Sequence, residues 1–99
     1  MPELPMLSEA DRAALELAVS ILKRQGATAV YLFGSRATDR ARPDSDWDLG
    51  VEGLPSSAYF PALGELSDRI RSRIDLVELD DGSRFAEFLK AWKELVRVA

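Results

Sequence analysis

The chain has 99 residues, 46% hydrophobic and 30% charged, and thirteen Lys+Arg against seventeen Asp+Glu give a formal net charge of −4. That length allows one domain with a modest core, too apolar for wholesale disorder and too acidic to favour long polyanions as substrates. With no cysteine and no histidine, disulfides, thiolate chemistry, structural zinc and a Ser-His-Asp triad are excluded, and any metal must be held by oxygen, as Mg²⁺, Mn²⁺ and Ca²⁺ are.

Residues 1–7, with Pro2 and Pro5, read as an extended lead-in, and residues 8–99 as a single domain. Ser8 is placed to cap a helix whose first turn holds Glu9 and Asp11, with Ala14, Leu17, Ala18, Ile21 and Leu22 on its apolar face and Gly26 as its stop. Ala29–Phe33 is a continuous apolar run, suited to a buried strand, that ends at Gly34-Ser35. Arg36 to Ser45 is polar, with three Arg, two Asp and one Pro, and reads as a loop. Asp46 to Glu52 alternates, so Trp47, Leu49 and Val51 share one face of a strand while Asp46, Asp48 and Gly50 share the other. A second helix is expected from near Ser57 to about Arg71, with Pro61 in its first turn and Leu63, Leu66 and Ile70 inward. A third strand follows at Ile74–Leu79, then an Asp80-Asp81-Gly82 turn. Ser83 to Arg97 reads as a closing helix with a stripe of Phe85, Phe88, Leu89, Trp92 and Val96. The order α-β-loop-β-α-β-α describes an α/β (α+β) domain with a mixed sheet of about three or four strands flanked by helices. No apolar run approaches the roughly 20 residues that span a bilayer, and the acidic N-terminus is not a signal peptide. The expected address is therefore cytoplasmic, with no membrane partner.

Three features bear on chemistry. Gly34-Ser35, at a strand exit, offers backbone amides and a hydroxyl to a phosphate oxygen, or else forms a plain turn. In Asp46-Trp47-Asp48, strand geometry sets two carboxylates on one face, separated by about 7 Å of backbone at roughly 3.3 Å per residue. Their repulsion is offset either by a divalent cation or by exposure at a turn and an edge. Asp75, inside the apolar run Ile74-Asp75-Leu76-Val77, is exposed at the sheet's end, buried with a partner, or paired with Arg71 or Arg73. Taken together, the order is a Gly-Ser turn, ten residues, an Asp-x-Asp strand and a lone Asp on the next strand. Three such carboxylates can hold two metal ions about 3.5–4 Å apart.

Leu32-Phe33-Gly34-Ser35-Arg36-Ala37, then Arg42-Pro43-Asp44-Ser45-Asp46-Trp47-Asp48-Leu49, then Ile74-Asp75-Leu76-Val77 resemble the minimal nucleotidyltransferases of the DNA polymerase β-like superfamily. The resemblance runs from the leading helix to the third strand. Many members have glycine where Asp39 stands and a small aliphatic residue where Trp47 stands; neither difference removes a carboxylate. The resemblance implies a polymerase β palm-like fold and transfer of a nucleoside monophosphate from an NTP such as ATP. Asp46, Asp48 and Asp75 would be catalytic and metal-binding, holding two Mg²⁺ (or Mn²⁺) ions, and Gly34, Ser35 and Arg36 would be nucleotide-binding. Arg36 has a solvated loop arginine as its alternative, and Arg40 and Arg42 would counter the crowded carboxylates. The small size leaves no room for an acceptor domain. In this family the usual partner is a helical HEPN-class protein of paired toxin–antitoxin modules, which the antitoxin binds and adenylylates on tyrosine. The Phe85/Phe88/Trp92 stripe is either a docking surface for such a partner or part of the core. Three functions stay open: an adenylyltransferase antitoxin, an antitoxin acting by contact alone, and a catalytic subunit that modifies a small molecule such as an aminoglycoside. Direct binding to nucleic acid is not expected.

Overall fold

A computed structural model of the chain describes residues 7–34, 46–80, 82–91 and 95–99. The elements are α1 (Glu9–Arg24), β1 (Ala29–Phe33), β2 (Trp47–Glu52), a 3-10 turn at Ser56–Ala58, α2 (Tyr59–Arg69), β3 (Ile74–Glu78), α3 (Arg84–Ala91) and β4 (Val96–Arg97). Ser8 caps α1, its side chain accepting the Asp11 N–H at 3.1 Å. Ser83 does the same for α3 through the Ala86 N–H at 3.0 Å. Each supplies an acceptor to an amide that has no partner within the helix. Pro61 sits in the first turn of α2, where its missing N–H costs nothing.

Among the described residues the strands form one mixed sheet in the order β3-β2-β1-β4. β1 runs antiparallel to β2 and β4, whereas β2 and β3 are parallel. A parallel pair needs a crossover, and α2 supplies it. The registers Phe33↔Asp48 and Asp48↔Asp75 put these three side chains on one face, because paired residues across a sheet point the same way.

The two faces are covered unequally. On one, Val30, Leu32, Leu49 and Val51 join Trp47, Ile74 and Leu76 in a cluster with Leu15, Ala18, Ile21 and Leu22 of α1 and Ala62 and Leu66 of α2. On the other, Phe33 and Leu79 form a small buried cluster, flanked by the partly buried Tyr31, Val77 and Leu95.

Several sequence expectations change. Leu15, not assigned to the apolar face of α1, is buried, while Ala14 and Leu17 are half-buried. The helical stripe that would reach Val96 is interrupted: α3 ends at Ala91, and Val96 and Arg97 pair with Leu32 and Tyr31 as β4. A free edge on β1 outweighs helical spacing there, since its unpaired backbone groups need partners. The Val98 N–H donates to the Val30 carbonyl at 2.8 Å and the Val30 N–H to that of Ala99 at 3.2 Å. Phe88 is exposed, whereas Trp92 and the side chains of Phe85 and Leu89 lie outside the described residues. Residues 1–6 of the lead-in also lie outside them; Leu7 packs against the core. Among the described residues, no helix is long and apolar enough to cross a membrane.

Candidate active site

The alternation of β2 sorts its side chains. Trp47, 2% exposed, turns into the core between the two aspartates that flank it in sequence, and a large apolar residue at that position therefore serves packing. Asp48 turns to the opposite face, beside its register partner Asp75. Parallel pairing brings the two carboxyl groups into contact, and the consequence is electrostatic. Burial, the charges of Asp75 and Asp46, and a hydrogen bond with Asp75 push the Asp48 carboxyl up to about 6. Two like charges at such range favour sharing a proton over double ionisation. Asp75 also meets the Arg73 guanidinium, with Nε 3.8 Å from Oδ1. Of the alternatives open for Asp75, the pairing with Arg73 is present and the contact with Asp48 is present beside it.

Gly34 closes the other side of Asp48. It follows Phe33, the register partner of Asp48, and turns with φ 74°, a conformation that disfavours any side chain. A Cβ at this position would overlap the Asp48 carboxylate, coming within 2.9 Å of its Cγ. The backbone therefore runs directly over the carboxyl group, as only glycine permits. Ser35 and Arg36, and with them Asp39, Arg40 and Arg42, lie outside the described residues.

Asp46 is exposed, one residue ahead of β2. Its charge reaches Asp48, yet among the described residues no three acidic side chains converge closely enough to hold a metal ion. The structure thus brings together Asp48, Asp75 and Gly34, and leaves Asp46 alongside. The donor chemistry fits a hard divalent cation: two carboxylates in contact, all oxygen, and a repulsion that a cation would relieve.

A cleft of ≈ 340 Å³ opens over this pair. Phe33, Asp48, Asp75 and Val77 line it from the sheet, Ile74 and Leu76 from the edge strand β3, and Tyr59 and Leu63 from α2. Tyr59 and Leu63 stand one helical turn apart and share a face. The Tyr59 hydroxyl donates to the Leu76 carbonyl at 2.6 Å, occupying an acceptor that β3, as an edge strand, leaves unpaired. Burial, then the charges of Glu78 and Asp75, raise the Tyr59 phenol above its ordinary value, so it remains the donor at neutral pH. Sequence reasoning passed over Tyr59 and read Leu63 as core. Their spacing of four was visible, but only the crossover of α2 past β3 brings them to the carboxylates.

Comparison with known proteins agrees with this architecture. The family described as "Polymerase beta, Nucleotidyltransferase" matches residues 16–96. No curated protein matches the chain. Among solved structures, a toxin-antitoxin with AMP-PNP is similar at 25% identity and TM-score 0.58, over 71% of this chain and 60% of that one. The toxin-antitoxin MntA-HepT is similar at 23% and TM-score 0.55, over 73% and 58%. An MntA-HpeT mutant is similar at 19% and TM-score 0.65, over 85% and 70%; the last two likenesses concern the fold. The chain spans about three fifths of the length of the first two. A match that runs from the middle of α1 through the first residue of β4, and so takes in the aspartate-bearing strands, shows that this chain belongs to the polymerase beta nucleotidyltransferase family.

Proposed function

We propose that the chain is a metal-dependent nucleotidyltransferase that moves AMP from ATP to a hydroxyl acceptor, a tyrosine of a HEPN-class partner, and so acts as the antitoxin of a toxin–antitoxin pair. The observation that carries this reading is the Asp48–Asp75 register pair with the Gly34 backbone drawn over it. A carboxyl raised to about 6 first by burial and then by the charges of Asp75 and Asp46 destabilises the protein unless a cation or a proton is held beside it. Asp48 and Asp75, with Asp46, are the residues assigned to hold Mg²⁺ or Mn²⁺, which would neutralise the triphosphate and acidify the acceptor hydroxyl. Gly34 and Ser35 are assigned to the β- and γ-phosphates through their amides and the serine hydroxyl, and Arg36 to the leaving pyrophosphate. The acceptor oxygen forms a bond to the α-phosphorus as the bond from that phosphorus to the β-phosphate bridging oxygen breaks. The hydroxyl proton passes to the Asp75 carboxylate, and pyrophosphate departs. The similarity to toxin-antitoxin structures, one of them with AMP-PNP, supports both the nucleotide and the kind of partner.

The test incubates the protein with labelled ATP, Mg²⁺ and the HEPN-class partner, separates the two proteins, and measures partner mass and ribonuclease activity. The expected result is a partner carrying AMP on tyrosine that stays inactive after separation, from catalytic amounts of this protein. An unmodified partner that regains full activity, with inhibition stoichiometric and untouched by Asp46→Asn or Asp75→Asn, would establish inhibition by contact instead. Label on an aminoglycoside but not on the partner would establish small-molecule modification.

A further inference from the structure

We infer that Tyr59 is a positioning residue for the carboxylate pair: its hydroxyl ties the outer edge of β3 to α2 and so holds Asp75 beside Asp48 before a cation binds. The inference rests on the metal-dependent transfer proposed above, and assigns to it a residue that acts through the backbone of a strand. Its first support is the weakness of that strand. Among the described residues β3 is an edge strand of five residues, with β2 as its neighbour on one side. The pairing is parallel, slightly less stable per residue than antiparallel pairing. It also sets Asp75 directly opposite Asp48, and like charges so placed are destabilising. The strand that presents the second carboxylate is thus pushed away from its neighbour by that same carboxylate.

The direction of the backbone groups supplies the second support. The Trp47 N–H donates to the Arg73 carbonyl at 2.9 Å and the Leu79 N–H to the Val51 carbonyl at 2.8 Å. By alternation Asp75 and Val77 also turn their backbone groups toward β2, while Ile74, Leu76 and Glu78 turn theirs to the free edge. At that edge the Tyr59 hydroxyl donates to the Leu76 carbonyl at 2.6 Å. Leu76 directly follows Asp75, and its side chain, 6% exposed, belongs to the core. It is therefore held twice, by its side chain within the core and by its carbonyl from α2. The other end of the tie is anchored as well. The Tyr59 ring packs against the same core cluster and meets Phe60 edge to face, with ring centroids 5.2 Å apart. A phenylalanine would fill the place of that ring and leave the edge untied.

The test compares Tyr59→Phe with Ser8→Ala in the whole chain. Ser8→Ala removes the cap of α1, which is not part of the cleft wall, and lowers stability by a similar amount. Amide hydrogen exchange of the metal-free protein reads the strand. The Mg²⁺ concentration that gives half of the AMP-PNP thermal shift reads the site. Tyr59→Phe should speed exchange at the Asp75 and Val77 amides by roughly 5-fold beyond its effect on the β1–β2 amides, the factor that one net hydrogen bond supplies. It should also raise the Mg²⁺ requirement ~10-fold, the low end of the range for groups that orient metal ligands. Ser8→Ala should do neither. Exchange that rises equally in all strands of Tyr59→Phe would overturn the inference. So would an unchanged Mg²⁺ requirement in Tyr59→Phe, or one raised as far by Ser8→Ala. A wild type whose AMP-PNP shift is absent or independent of Mg²⁺ would overturn the metal-dependent transfer itself, and the positioning role with it.

Discussion

The two faces of the sheet were built for different tasks from the same strands. On the covered face, Val30, Leu32, Leu49 and Val51 are each 0% exposed beneath α1 and α2. On the other, the same β2 offers Asp48 between a glycine turn and a second aspartate. Period-two alternation lets one strand serve both without compromise, since neighbouring residues never compete for a face. The difference teaches where stability and function are kept apart. Apolar burial on the covered face stabilises the domain by roughly 25 cal/mol per Å². This tolerates, on the site face, a like-charge contact that would otherwise count against folding.

The largest effect should come from the covered face. Leu49→Ala removes a fully buried side chain beneath both helices and should cost about 2–5 kcal/mol, read as a lowered urea midpoint. On a 99-residue domain that is a large fraction of the whole stability. A loss under ~1 kcal/mol would erase the contrast between the faces.

Gly34→Ala tests the site face from its backbone. The positive φ alone should cost ~1–2 kcal/mol, and the new methyl must displace the Asp48 carboxylate. Both the melting temperature and label transfer should fall. Retained transfer would show that the close approach of Gly34 to Asp48 is not used.

Asp48→Asn should have opposite effects on the two properties. Label transfer should be lost, while the metal-free protein becomes more stable by ~1 kcal/mol after allowance for solvent screening. The sign follows from the carboxyl standing at about 6 in the fold against an ordinary 3.8. Between those values the folded state binds the extra proton, so wild-type stability should rise as pH falls from about 6 toward about 4 and be lost as pH rises through about 6. Urea midpoints of wild type minus Asp48→Asn across pH 4–7 isolate this contribution. A flat difference would mean that neither burial nor the neighbouring charge of Asp75 raises the Asp48 carboxyl in solution.

The smallest effect belongs to the border between the faces. Tyr59→Phe keeps the ring and removes the hydrogen bond to the Leu76 carbonyl, for an expected loss of about 1 kcal/mol by thermal denaturation. A loss several times larger would make the edge of β3 a structural keystone in its own right.

Local pattern by itself determined the first three strands and the two faces of β2, the Ser8 cap, the second helix, and the sequence positions of Gly34, Asp46, Asp48 and Asp75, because each follows from spacing along a few residues. The register was beyond it. That Asp48 stands opposite Asp75 rather than two residues away depends on how β2 and β3 slide past one another, and a two-residue slide would leave the same side chains on each face, so only the packed sheet fixes it. The same limit explains Tyr59, whose place in the cleft exists only once α2 has crossed β3. It explains Val96 too, where helical spacing yielded to an unpaired strand edge. Periodicity is a property of one element, whereas a site is made between elements, and only packing decides which of them meet.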